Sequence, residues 1–292
     1  MPRIALALDD HDWHARALTA AFAALGAETI PFRLAQAELG TTSPHGVSLP
    51  GFGDALPDAV LVRAVAGGSF EEVTRRLGVL HAMRALGVPV WNDARAIECC
   101  VDKSATAFAL AHAGLPTPPT WTVEGQDAAR AIVAREAAGG MLVLKPLFGS
   151  QGRGLRLVAG PDDLPDADAV GGIYHLQRFV PAEGDGFADH RLFVCGGDVI
   201  GAMTRRAANW VTNIRQGGKP EALVPGAGMV DLAIRAAASV DAAYAGVDLL
   251  RGRDGRDRVL EVNSMPGWRG LQRVTAHSIA AKLAAALLAG LR

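Results

Sequence analysis

The sequence predicts a protein of the α/β plus α+β class, with a parallel α/β domain in front of modules whose strands pair antiparallel. Three observations carry this. Strand and helix signals alternate over roughly the first 95 residues, the order that a parallel sheet with covering helices requires. The run Gly114-Leu-Pro-Thr-Pro-Pro119 closes a helix and marks a module boundary. Near the C-terminus two apolar strands flank Arg251-Gly-Arg-Asp-Gly-Arg256, which reads as a hairpin turn.

In chain order, residues 4–8 are a short apolar run, a buried strand. The helix after it carries Leu18, Phe22 and Leu25 on one face. Residues 40–57 are rich in Gly, Pro, Ser and Thr and predict a surface loop. Residues 59–65 form a second buried strand. A helix over 70–86 places Val73, Leu77 and Leu80 on one stripe, Gly87 ends it, and 88–92 is a third strand. A helix over 102–113, a strand near Trp121, a helix over 127–138, and strands at 141–144 and 155–158 make up a second module. The last third holds strands at 174–180, 192–195, 199–204, 247–250 and 259–262, with helices over 230–243 and 275–288. The division into modules is 1–98, 99–175 and 176–292.

Composition narrows the function. Half the 292 residues are apolar, a fifth are charged, and the net charge is −1. No apolar run reaches the ~20 residues that cross a bilayer, and the N-terminus lacks a signal-peptide pattern. A cytoplasmic protein is expected. No Lys/Arg block provides the footprint of a nucleic-acid binder. The three cysteines, Cys99, Cys100 and Cys195, form neither a disulfide framework nor a metal spacing and read as small buried hydrophobes. Only four of the 29 basic residues are lysines: Lys103, Lys145, Lys219 and Lys282.

Three motifs carry chemistry. In Lys145-Pro-Leu-Phe-Gly149-Ser150-Gln151-Gly152-Arg153-Gly154 a lysine ends an apolar strand and a glycine-rich turn follows. Glycines admit close backbone approach, successive N–H groups can cradle phosphate, and the lysine adds a point charge; a plain hairpin loop is the alternative. Glu261 and Asn263 are two apart on the strand VLEVN and leave one face. Antiparallel pairing would bring Asp248 of the preceding strand beside Glu261. Three oxygen donors embedded in buried strands suit Mg²⁺ better than a solvated sheet face. Arg205-Arg206 ends a strand before a polar loop reaching Asn213, a fork suited to phosphate or carboxylate or, more commonly, a solvated strand end. His11-Asp12-Trp13-His14, at the first strand–helix turn, is a surface cluster or a substrate contact.

The order of these motifs, with Lys103, Gln177-Arg-Phe-Val180, Asp189-x-Arg191 and Glu261-Val-Asn263-Ser-Met-Pro-Gly267, resembles the ATP-grasp superfamily and within it the RimK-like alpha-L-glutamate ligases. The resemblance covers residues 102 to the C-terminus and implies a two-lobed ATP-grasp fold behind the parallel domain. It implies Lys103 and Lys145 on ATP phosphates, Gly149, Ser150, Gln151 and Gly152 in a lid, and Gln177, Arg178, Phe179 and Val180 as the hinge beside adenine. Asp189 and Asn213 match nucleotide-site positions, Asp248, Glu261 and Asn263 match ligands of Mg²⁺ or Mn²⁺, and Arg205 matches a catalytic arginine near the transferred phosphoryl group. Arg178 stands where the family carries an acidic residue, and Val211-Thr212-Asn213 replaces its Arg-Ser-Asn stretch. Trp268-Arg269-Gly270 looks more like relatives that extend small cofactors, the tetrahydromethanopterin- or methanofuran-type glutamate ligases. The implied activity is ADP-forming amide synthesis from a small carboxylate acceptor and an amino acid through an acyl phosphate, in a homodimer or homotetramer. A non-catalytic nucleotide-binding module and an ATP-grasp kinase are the alternatives. Arg63, Arg215 and Arg269 are candidate cations for substrate carboxylates.

Overall fold

The computed structural model describes residues 1–149, 151–184 and 186–291. The chain opens with β1 (Arg3–Ala7), α1 (Trp13–Ala24), β2 (Glu28–Phe32), β3 (Glu38–Leu39), β4 (Val47–Ser48), β5 (Ala59–Val62), α2 (Phe70–Ala85), β6 (Val90–Trp91) and α3 (Ala94–Val101). Four of these strands form a parallel sheet in the order β2-β1-β5-β6. Helices cover both faces, so β1 and β5 read as unbroken apolar runs. Ile4 and Leu6 pack on Leu18 and Phe22 of α1, while Ala5, Val60 and Val62 pack on Val79, Leu80 and Met83 of α2.

Two expectations need correction here. Leu25 is 48% exposed, because it caps α1 and the chain turns away at Gly26 (φ +75°). Residues 40–57 are not a free surface loop, since Leu49 and Phe52 insert into the core under α2 and hold the segment down. On α2 the fully buried stripe is Val79, Leu80 and Met83, with Val73 and Leu77 half-buried.

The middle of the chain comprises α4 (Lys103–His112), β7 (Thr120–Glu124), α5 (Gln126–Glu136), β8 (Leu142–Lys145), β9 (Arg156–Val158) and β10 (Ile173–Arg178). Its antiparallel sheet runs β7-β10-β8-β9. Ala129, Ile132 and Val133 of α5 close one face over Leu142, Leu144, Tyr174 and Leu176.

The remainder comprises β11 (Phe187–Cys195), β12 (Asp198–Ala207), β13 (Lys219–Ala222), α6 (Ala227–Ser239), β14 (Tyr244–Arg251), β15 (Asp257–Asn263), α7 (Arg269–Gln272) and α8 (Ile279–Ala289). The antiparallel order is β13-β12-β11-β14-β15. Side chains alternate across this sheet. Leu192, Val194, Val247 and Val262 face α6. On the other face Phe193, Cys195, Met203 and Tyr244 join Trp268, α8 and α1 in one core, so the first and last parts of the chain share their hydrophobic interior. Asn92, fully buried, fastens the junction: its amide donates to the carbonyls of Tyr244 (2.7 Å) and Ser264 (2.6 Å) and its oxygen accepts from the Tyr244 N–H (3.2 Å). The apolar core covers only half of that second face. The same strands carry Asp189, Arg191, Arg205, Asp248 and Glu261 on the uncovered half. Among the described residues no helix is long and apolar enough to cross a membrane.

Candidate active site

A cleft of about 1000 Å³ lies between the middle sheet and the charged half of the last one. Lys103, Lys145, Gly149, Gln151, Gly152, Gln177, Arg178, Phe179, Val180, Asp189, Arg205, Asn213, Asp248 and Glu261 all line it. Asn263 does not appear on its wall, and Ser150 lies outside the described residues.

One wall is cationic. Lys145 ends β8, and its ammonium donates to Gln177 Oε1 at 2.6 Å. Burial pushes its pKa down to about 8, against the opposing pull of Glu261. Lys103 begins α4, whose N-terminus Asp102 caps by accepting from the Ser104 and Ala105 N–H groups. Its ammonium donates to the carbonyls of Leu147 (3.2 Å) and Gly149 (2.9 Å), pinning the start of the glycine turn, and burial lowers its pKa as well. His175, opposite Lys145 across the β8–β10 pair, is held neutral by burial and by that lysine, with a pKa pushed down to about 4. Thus two of the chain's four lysines meet in this cleft.

The glycine turn closes against the loop after β12. A Cβ on Gly152 (φ +70°) would fall 2.5 Å from Asn213 Oδ1 and 2.6 Å from Val211 Cγ1. Only glycine allows that approach. At the end of β10, Phe179 meets the edge of the Trp210 ring, 6.1 Å between centroids. Arg178 lines the cleft, and its guanidinium is engaged by protein groups: it pairs with Glu136 (2.9 Å), donates to the Glu136 carbonyl (3.0 Å) and lies over Trp121. An acidic residue could not tie β10 to the end of α5 in this way.

The other wall is a chain of alternating charges. Arg205 donates from Nε to Asp189 (2.7 Å) and pairs through Nη2 with both Asp189 and Asp248 (2.8 Å to the latter). Arg191 grips Asp248 with two parallel bonds of 2.6 and 2.7 Å. Burial would raise the Asp248 pKa, but the two guanidinium groups outweigh it and hold the carboxyl below the usual range. Sequence reasoning gave Arg191 no role. Its signal was the spacing Asp189-x-Arg191, which puts both side chains on one face of β11.

The fit to a divalent ion follows from the same geometry. Asp248 and Glu261 are cross-strand partners, and Asn263 lies two residues on along β15. The hydrogen bonds and ion pairs of the described residues leave the Glu261 carboxylate and the Asn263 amide unengaged, whereas Asp248 is already taken by two arginines. Among the described residues no three His, Cys, Asp or Glu side chains cluster closely enough to hold an ion alone. An oxygen-seeking Mg²⁺ that keeps water and phosphate ligands therefore fits Glu261 on the cleft wall, with Asn263 two residues on along the same strand but off that wall, and Asp248 only as its arginines yield.

Comparison with known proteins accords with this arrangement. Residues 100–287 match the family described as the RimK-like ATP-grasp domain. The chain is 32% identical to the tetrahydromethanopterin:alpha-L-glutamate ligase of Methanosarcina acetivorans, over 93% of this chain and 94% of that protein. It is 36% identical to the enzyme of that name from Methanococcus maripaludis, over 67% and 68%. Among solved structures, ATP-grasp ligase PsnB complexed with a minimal precursor superposes with a TM-score of 0.77 at 25% identity, covering 98% of each chain. PsnB has also been solved with Mg and ADP (TM-score 0.76, 24% identity, 99% and 98% covered).

Proposed function

This chain belongs to the RimK-like ATP-grasp family and has its α/β ATP-grasp fold and ATP-dependent ligase activity, and from that premise we propose that it joins L-glutamate to a small carboxylate-bearing acceptor through an acyl phosphate. The observation that carries the reading is a cleft in which two half-buried lysines face an oxygen-rich strand. The tetrahydromethanopterin ligases it resembles make a cofactor-sized acceptor the first class to try.

In this reading an oxygen of the acceptor carboxylate attacks the γ-phosphorus of ATP and ADP leaves. The amine of the amino acid then attacks the acyl carbon, phosphate departs and the amine proton passes to solvent. Little covalent work falls to side chains, as in other phosphoryl transfers, where positioning and charge neutralisation dominate. Lys145 and Lys103 hold phosphate oxygens, with the glycine turn closing over them. Asp189 and Asp248 fix two nitrogens of Arg205 and leave Nη1 as its one nitrogen without a partner among the described residues, a preorganised donor for developing charge. The turn's contact with Asn213 excludes water from an acyl phosphate that would otherwise hydrolyse. Glu261 and Asn263, joined by Asp248, would hold Mg²⁺ or the chemically similar Mn²⁺, which supplies charge neutralisation across the phosphates. The module division at 98/99 and 175/176, which falls inside α3 and β10, then assigns the nucleotide mainly to the two later parts and substrate recognition to the first part together with the segment after Asn263.

The test is ADP release from a panel of carboxylic acids paired with amino acids. The proposal expects ADP only when both are present, and glutamate to lead the amines. A nucleotide-binding module releases none, and a kinase turns over without an amine.

A further inference from the structure

Two features named in the sequence have no part in the nucleotide cleft: Arg63 and the His11–His14 turn. The fold brings them together. The parallel sheet order β2-β1-β5-β6 reverses direction between β1 and β5, since the chain leaves β1 toward β2 on one side and leaves β5 toward β6 on the other. Open α/β sheets take ligands in the crevice outside the strand ends at such a reversal. Here the loop after β1 leads to His14 and the end of β5 leads to Arg63.

The third side of this crevice comes from the segment that follows Asn263. Arg63 donates to the Pro266 carbonyl (3.1 Å) and lies flat over the Trp268 ring, 4.8 Å from its centroid. The Arg63 Nε is buried without a partner, and so is the Nε1 of the fully buried Trp268. His14 lies edge-on to Trp268 at 4.6 Å. With Nδ1 donating to Asp12 (2.7 Å), its Nε2 accepts the Trp268 N–H (3.2 Å), which fixes the neutral tautomer and locks the two segments. Arg269, one residue on, is exposed, and it and Arg63 both act electrostatically on His14. Neither arginine has an ion-pair partner among the described residues. Two guanidinium groups without an ion pair among the described residues therefore stand at the sheet reversal, with the Asp12 carboxylate acting on Arg63 from nearby, beside the segment that continues from the candidate metal ligand Asn263.

We propose that Arg63 and Arg269 form an anion subsite that binds a non-reacting carboxylate of a substrate, holding the reacting end against the phosphate wall. This rests on the ligase reading for its substrate and deepens it by naming the recognition element. The carboxylate can belong to the incoming amino acid or to the acceptor, and kinetics separates the two: a rise in KM confined to the amine identifies the amino acid, and one confined to the acid identifies the acceptor. Arg63 and Arg269 are binding residues in either case.

The experiment uses the full chain with Mg²⁺ and ADP at fixed ionic strength, titrated calorimetrically with L-glutamate, L-aspartate, glutarate and succinate, alongside Arg63→Gln, Arg63→Lys and Arg269→Gln. At least one dicarboxylate should bind saturably to the wild type. Each glutamine variant should weaken it tenfold or more, Arg63→Lys should recover part of the loss, and ADP affinity should stay within twofold throughout. In turnover, one substrate's KM should rise while that of ATP holds. Absence of dicarboxylate binding to the wild type overturns the subsite, as does binding unchanged in both glutamine variants, or loss of ADP binding in parallel. Failure of the ligase reading shows differently, as dicarboxylate binding without ADP release from any acid–amine pair.

Discussion

Raising the pH across the titration of Lys145 should weaken nucleotide binding in a way that the structure makes quantitative. The ammonium is half-buried in the cleft wall, spends one hydrogen bond on Gln177 and has a pKa pushed down to about 8 in the free protein. Nucleotide phosphates stabilise the charged form, so binding raises that value. Below the free-state pKa the lysine is already charged and binding takes up no proton. Above it, binding must restore the proton, and affinity falls as pH rises. Roughly 90% of free molecules carry the charge at pH 7 and about 9% at pH 9, so the affinity for Mg·ADP should drop about tenfold between them. Burial lowers the pKa of Lys103 in the same direction. His175, already neutral, contributes nothing across this range. Calorimetry at pH 7, 8 and 9 in two buffers of different ionisation enthalpy measures both the affinity and the proton taken up. A guanidinium does not titrate in this range, so the Lys145→Arg variant should have a much flatter profile. A wild-type affinity independent of pH, or a slope unchanged in Lys145→Arg, would refute the assignment.

Further outcomes follow from individual contacts. Arg205→Met leaves the buried Asp189 carboxylate without its partner and takes one of two guanidinium groups from Asp248, which keeps Arg191, and should cost about 3–5 kcal/mol in urea unfolding. Because Asp248 owes its low pKa to the arginines, its contribution is present above the unfolded carboxylate range and lost as pH falls through the folded value, so the penalty should shrink in acid. Asn92→Ala removes three hydrogen bonds between the first and last parts of the chain and should cost about 2–4 kcal/mol, read by the same method. Gly152→Ala should raise the KM for ATP severalfold with the melting temperature nearly unchanged, because the added Cβ meets Asn213 across the closing turn; an unchanged KM would mean that this contact plays no part in closure.

Much of this was legible in the sequence because it is local. The strand VLEVN announces its own two-residue periodicity, and the apolar run LVLK ends on its lysine, so the strands at 142–145 and 259–263 are legible from neighbours alone. What escaped depends on register or on distant contacts. Sequence alone presents Asp248 as a free donor, yet pairing β11 between β12 and β14 sets Arg191 and Arg205 against it, 57 and 43 residues away in sequence. The edge strand β13 (KPEA) pairs on one side only and carries no apolar alternation to reveal it. The contact of His14 with Trp268 spans 254 residues and has no signature at either end. Leu25 looked like a third core residue because periodicity does not show where a helix stops.

The account turns on a phosphate-activated carboxylate at the cleft between Lys145 and Glu261. The most direct measurement is the nucleotide product and its stoichiometry during a turnover that consumes acid and amine, in the wild type and in Glu261→Gln. One ADP and one phosphate per amide formed, with no ADP from the variant, is the predicted result. AMP and pyrophosphate in place of ADP, or full ADP formation by Glu261→Gln, would contradict it.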